Sequence, residues 1–197
     1  VSRFVDLFVG GWQISMNSRF QSGRLVDFGN VRMVGFDANE LKSMFQLRHD
    51  TTSGTDRVYM LPDAVIQESI KAFSVSATSA TGYGSLGAPS GKYFAPASGP
   101  DCIESIAAGY GDCGTRTLVV RGPMFQEHDL ALVKSAELLS GARLEFRVEL
   151  LNAFNNVNFV PVGGVGGTTL ANYEVTGLTG INTSRQVQIT GRLTWGR

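Results

Sequence analysis

Four charged residues alternate with apolar ones at Arg143, Glu145, Arg147 and Glu149. Carboxylates flanked by guanidiniums could serve general acid–base chemistry. Residues two apart on a strand share a face, however. The four therefore form a ladder of opposite charges pointing one way, suited to pairing with neighbouring strands along a wet surface. His49 lies between Arg48 and Asp50, and His128 beside Asp129. Neither has metal-ligand spacing, and each is expected to take a surface or capping role. The run Gly163-Gly164-Val165-Gly166-Gly167-Thr168-Thr169 lacks the Gly-Lys-Ser/Thr that a phosphate loop requires. It is expected to be a flexible loop tip. The serines have no nucleophile-elbow context. No catalytic, cofactor-binding or metal site is expected, and the chain does not read as an enzyme.

The two cysteines, Cys102 and Cys113, lie in one Gly-rich polar segment. A local disulfide is expected, which would fit an oxidising compartment; two free thiols are the other reading. A metal site is disfavoured because no His or second Cys pair lies nearby.

The elements that hold the charge ladder are strands with period-two alternation. Ala142, Leu144, Phe146, Val148 and Leu150 alternate with the four charges. At the C-terminal end, Val187, Ile189, Gly191, Leu193 and Trp195 alternate with Gln186, Gln188, Thr190, Arg192 and Thr194. Each is a strand with a dry and a wet face, near the roughly 9–11 residues that a tilted strand needs to cross a bilayer. A further strand is expected from Trp12 to Gln21, with Trp12, Ile14, Met16 and Phe20 on one side. Another is expected from about Glu127 to Ser135, with Leu130 and Leu132 opposite Asp129. Arg3 to Val9 alternates through Val5, Leu7 and Val9, blurred by Phe4 and Phe8, and Gly10-Gly11 then suits a two-residue hairpin turn.

The connections alternate in length. Gly10-Gly11 and 137–141 are short, whereas 22–126 and 153–183 are long. Outer-membrane barrels have short turns at one end and long loops at the other. If the short turns are periplasmic, Trp12 and Trp195 reach the same interface, as an aromatic girdle requires. Within 22–126, short helices are expected at Asp37–Phe45 and at Pro62–Phe73, and 74–126 reads as extended. Asn152, Asn155, Asn156 and Asn158 are expected to cap and turn the chain at the outer end of the charge-ladder strand.

Composition agrees with this. Of the 197 residues only 17% are charged, 24 are glycine, and the formal net charge is zero. A neutral chain lacks the basic footprint of a nucleic-acid binder. No stretch approaches the ~18 apolar residues of a transmembrane helix. Val1-Ser2-Arg3 opens directly onto alternating residues with no leader pattern, and the chain is expected to be a fragment.

Residues 121–134 (RGPMFQEHDLALVK) resemble an R-G-P-x-F-x-x-x-D-L-x-L-x-K pattern, and 144–159 (LEFRVELLNAFNNVNF) resemble L-x-F-R-x-E-x-x-N-x-F-N-x-x-N-F. Arg185-Gln186-Val187-Gln188 then leads the final strand, and Gly10-Gly11-Trp12-Gln13-Ile14-Ser15 and Gln21-Ser22-Gly23-Arg24 match a preceding hairpin. In this order they resemble the C-terminal end of TonB-dependent receptors, in particular the Oar-like group with a carboxypeptidase-regulatory-like N-terminal domain. The resemblance implies a barrel of about 22 strands, plugged by an N-terminal domain and importing ligands with energy passed through TonB, in the outer membrane of a Gram-negative-type bacterium. The 197 residues are expected to hold neither that family's plug nor its TonB-contacting segment, and they run two residues, Gly196 and Arg197, past the aromatic that usually ends the chain.

The expected fold is all-β: about five antiparallel up-and-down strands of an outer-membrane-type barrel, with long loops and one or two short helices. Residues 1–197 would be one C-terminal barrel segment, with 22–126 an extracellular-type loop and 153–183 a second. Trp12, Ile14, Leu130, Leu132, Leu144, Phe146, Val148, Leu150, Val187, Ile189, Leu193 and Trp195 would face lipid or a partner. Arg143, Glu145, Arg147, Glu149, Gln186, Gln188 and Arg192 would face the lumen. Single-chain barrels start at eight strands, so partner strands are needed. They would come from the remainder of a receptor barrel or from identical subunits, the second case giving an extracellular fibre or tube by strand addition.

Overall fold

A computed structural model describes residues 8–52, 54, 57–100, 102, 113, 117–138, 141–161, 164–175 and 184–195. In chain order the elements are β1 (Trp12–Gln21), β2 (Leu25–Asp27), β3 (Val31–Val34), α1 (Ala38–Met44), β4 (Arg48–Asp50), β5 (Arg57–Tyr59), α2 (Asp63–Phe73), β6 (Tyr93–Pro96), β7 (Val119–Arg121), β8 (Phe125–Glu137), β9 (Ala142–Leu151), a 3-10 turn (Leu170–Tyr173) and β10 (Gln186–Trp195). The chain divides into two compact units: Val1–Ser22 with Met124–Asn158 and Thr179–Arg197, and Gly23–Pro123 with Phe159–Leu178.

The first unit is a four-stranded antiparallel sheet in the order β1-β8-β9-β10. Its strands are 10 to 13 residues long, and among the described residues the sheet is not closed. Each ladder runs without a bulge, so the period-two pattern of one strand stays in phase with the next. The register rows include Ile14–Leu132–Val148–Ile189 and Met16–Leu130–Leu150–Val187. A tight connection joins β8 to β9, closed by Leu138 N donating to Ala142 O at 2.7 Å, with Gly141 at φ +80°.

Before β1 the expectation of a strand over Arg3–Val9 fails at its far end. Phe8 and Val9 are helical, and Trp12 Nε1 donates to Phe8 O at 2.8 Å. Residues 3–7 lie outside the described residues. The four-residue spacing of Phe4 and Phe8, which blurs the alternation, is a helical period. Gly10-Gly11 therefore leads from helical residues into β1 instead of joining two strands. Gly11 has φ +70°, and a Cβ there would lie 2.1 Å from Ser135 O.

The second unit has a core of its own, where Leu41, Tyr59, Met60, Ile66, Phe94 and Val165 are almost fully buried. Three two-stranded ladders, β2–β7, β3–β6 and β4–β5, surround it. Asp37 caps α1 by accepting from the N–H groups of Asn39 and Glu40. Pro62 precedes α2, which buries Val65, Ile66, Ser69, Ile70 and Ala72. The segment 74–126, expected to be extended, contains β6, β7 and the start of β8. β6 and β7 are only four and three residues long, too short for alternation to show in sequence.

Cys102 and Cys113 are joined by a disulfide. Glu68 accepts from Lys71 Nζ at 2.6 Å and from Ser90 N at 2.8 Å, and these bonds hold its carboxyl below the usual carboxylate value of 4.5. A carboxylate with a lowered folded pKa contributes stability that is present above the unfolded value and lost as pH falls through the folded one. The protection factors of amides around Ser90 should therefore fall as pH drops below about 4.5, and Glu68→Gln should remove that acid dependence. Phe94→Ala should destabilise the second unit by about 3–5 kcal/mol, measured as faster exchange of α2 amides with β8 and β9 unchanged.

Candidate functional site

The registers sort the sheet into two faces. Trp12, Ile14, Leu130, Leu132, Leu144, Phe146, Val148, Leu150, Val187, Ile189, Leu193 and Trp195 all fall on one side, with Met16 and Phe20. Arg143, Glu145, Arg147, Glu149, Gln186, Gln188 and Arg192 fall on the other. The apolar side chains are uncovered: Ile14 is 72% exposed, Ile189 63% and Trp195 76%. On the polar side Glu145 stands opposite Arg192, Glu137 opposite Arg143, and Arg147 pairs with Glu149 at 2.5 Å. Exposed pairs of this kind contribute little energy each; they keep a row of charges neutral in sum.

Each end of the apolar face carries a distinct group. At the end nearest the β8–β9 connection, Lys134 lies over the Trp12 ring at 5.1 Å and its ammonium reaches Gly10 O. The cation thus leaves the apolar surface by its flexible stem. At the opposite end His128 Nδ1 bonds the Ser18 hydroxyl at 2.9 Å, and the imidazole stands edge-on to Phe20 and Phe154, each 5.2 Å away. His128 is buried, which corrects the surface half of the expected surface or capping role. On a strand its side chain shares the apolar face with Leu130, and two phenyl rings enclose it. His49 is exposed in β4. Among the described residues no cluster of three or more His, Cys, Asp or Glu could hold a metal.

Asparagines build the outer end of the sheet. Asn158 brackets Gln126, accepting from its N–H and donating to its carbonyl, both at 2.8 Å. Asn152, at φ +48°, accepts from Asn156 N and donates to Asn156 O; its own N–H donates to Asp129. Asn155, at φ +53°, accepts from Arg185 N just before β10. Asn tolerates the left-handed region and satisfies nearby backbone, so this turn ties β8, β9 and the start of β10 together.

Arg121, Gly122 and Gly23 of the matched sequence patterns make structural contacts. Gly23 and Gly122 meet backbone to backbone, since a Cβ on Gly23 would lie 1.9 Å from Gly122 O, and Arg121 donates to Gly23 O at 3.0 Å. The glycine run expected as a flexible tip is instead a packing element in its described part. Val165 is fully buried, and Gly166 lies so close to the Phe73 ring that a Cβ would come within 2.5 Å of it. Glycine is used there for close approach, which its sequence does not distinguish from freedom. The Phe20–His128–Phe154 group has little sequence signal beyond aromatic and His residues past the apolar run of each strand. Asn158→Ala should leave the N–H and C=O of Gln126 unpaired, costing about 1–3 kcal/mol, read as faster exchange at residues 125–128 with the far end of the hairpin unaffected.

A family model for an outer membrane beta barrel domain matches residues 2–188. Neither a curated protein nor a solved structure matches the chain. The sheet has the length, the antiparallel order and the two opposed faces of that family, whose place is the outer membrane. This chain belongs to the outer membrane beta barrel domain family.

Proposed function

We propose that β1, β8, β9 and β10 are the C-terminal wall strands of a TonB-dependent receptor of the Oar-like type, in which the parent protein imports a ligand and these strands catalyse nothing. The observation that carries this is the apolar face: long, continuous, uncovered, and backed on the same sheet by a charged face. An apolar patch of that extent facing water would drive aggregation; facing lipid it is the outer band of a barrel, with the charges turned to the lumen.

The aromatic residues support the same reading. Trp12 lies in the row Trp12–Lys134–Phe146–Gly191, and Trp195 is four residues further along β10. That offset is about 13 Å along the strand, or roughly 10 Å along the barrel axis at a 40° tilt. Crossing three strands about 4.8 Å apart at that tilt shifts the level by roughly 9 Å. The two displacements are of one size, so a barrel tilt can bring both tryptophans to one interface. Phe20 and Phe154, flanking His128, would form the girdle at the other. The connections 22–124 and 152–185 would then emerge on the extracellular side, opposite the tight β8–β9 connection.

Among the described residues β1 and β10 each have one neighbour, so the wall needs strands on both sides. In the receptor reading the rest of the barrel provides them. The same two edges favour a second reading, in which identical subunits add strand to strand into an extracellular fibre. Antibody against residues 57–74 should detect an outer-membrane protein far larger than the 21.2 kDa of this chain, and in vivo cross-linking should join it to TonB. A 21.2 kDa species polymerised in the medium would replace the receptor reading with the fibre.

Cysteines placed at Ile14 and Ile189 should resist a charged maleimide in intact outer membranes, while Ser15→Cys and Gln188→Cys react once the lumen is opened. Equal labelling of both sets would overturn the assignment of faces. Ile189→Arg should cost about 2–4 kcal/mol if the residue lies at the bilayer midplane, against almost nothing for Gln188→Arg, measured by unfolding in lipid.

A further inference from the structure

The second unit is assembled from two stretches far apart in sequence. Gly23–Pro123 supplies its helices and paired strands. Phe159–Leu178 supplies one 3-10 turn, yet Pro161, Val165 and Tyr173 are among the most deeply buried side chains of the chain. This second stretch is fastened in three ways. Val175 N donates to Val58 O at 2.7 Å, and Tyr59 and Glu174 form an antiparallel bridge, which adds a third strand-like segment beside β5. Arg57 pairs with Glu174 at 2.5 Å. The third fastening is a polar node inside the core.

That node centres on Ser69 in α2, which is fully buried. Its hydroxyl oxygen accepts from Phe94 N at 2.9 Å, and its proton goes to Val65 O at 2.6 Å. Tyr173 donates to Gly167 O at 3.1 Å. Ser69 thus ties α2 to β6 in the core where Tyr173 of the second stretch is buried. Burial pushes the Tyr173 phenol pKa upwards, so the group stays neutral and the node does not titrate near neutral pH.

We propose that the described residues 159–161 and 164–175 are a strap that makes the two long connections one cooperative body, so that neither opens without the other. Lifting the strap would expose the core beside Tyr59 and Phe73 and leave Val58 O short of a partner, each a costly state. Peeling back 23–123 would leave Val165 and Tyr173 in water with nothing to fold against. The two openings therefore share one barrier, which is the condition for a single cooperative unit. The device does not depend on the receptor reading. It requires only that both connections belong to the same chain.

Hydrogen exchange on the full chain in its native membrane tests this. Peptides covering 63–73 and 164–175 should open at one rate, in a correlated step. Tyr173→Phe, which removes the buried donor to Gly167 O, should raise exchange in both peptides together by roughly tenfold, with 128–137 and 142–150 unchanged. Arg57→Gln, which leaves the core intact, should shift both in the same sense by less. A strap that exchanges tenfold or more faster than α2 in the unaltered chain, or a Tyr173→Phe effect confined to 164–175, would overturn the proposal. Loss of the labelling pattern on the sheet would sink the barrel reading and leave this result standing.

Discussion

A strand in hydrocarbon has no water to satisfy its backbone, so every N–H and C=O must find a partner on a neighbouring strand. The four-stranded ladder answers to that constraint. Because the pairing is continuous, register is fixed; because register is fixed, the side of every residue is fixed as well. The chemical separation of the two faces follows from this and needs no further interaction. Ile14, Leu132, Val148 and Ile189 come from four strands and two ends of the chain, and they fall in one row only because no residue is inserted between them.

The second unit obeys the opposite rule. Its apolar residues turn inward, and its strands are short because packing, not the ladder, holds them. Ile14 and Ile66 make the contrast plain: the first is largely uncovered, the second fully buried. The same residue type is placed in two environments within one chain. Glycine is divided in the same way. Gly141 permits a tight connection at positive φ, whereas Gly166 makes room for the ring of Phe73.

What the sequence disclosed follows from this division. The long strands announce themselves because alternation over ten residues is hard to mistake, and β1 and β10 run over the residues that the pattern marks. The asparagine turn was legible for a similar reason, since Asn beside a strand end has few other uses. The second unit was hidden. Residues 93–96 pair with 31–34 across some sixty residues, and neither segment is long enough to show a period. Tyr173 reads as one more aromatic in a loop until its burial in the core is seen. Phe8 and Val9 depart from the strand pattern because three alternating positions, Val5, Leu7 and Val9, can also be read at a helical spacing with Phe4 and Phe8, and local pattern alone does not choose between the two.

The stagger between Trp12 and Trp195 constrains any assembly that could contain this sheet. The paired region is a parallelogram, and each strand added at either edge carries the step onward. A cylinder closes only when the accumulated step returns a strand to a partner of the same side. A displacement by one residue exchanges inside for outside, so the total around the circumference must be an even number of residues. Whatever strands complete the wall beside β1 and β10, their lengths and offsets are bound by that parity, and a single-residue insertion in any one of them would have to be answered by another elsewhere on the ring.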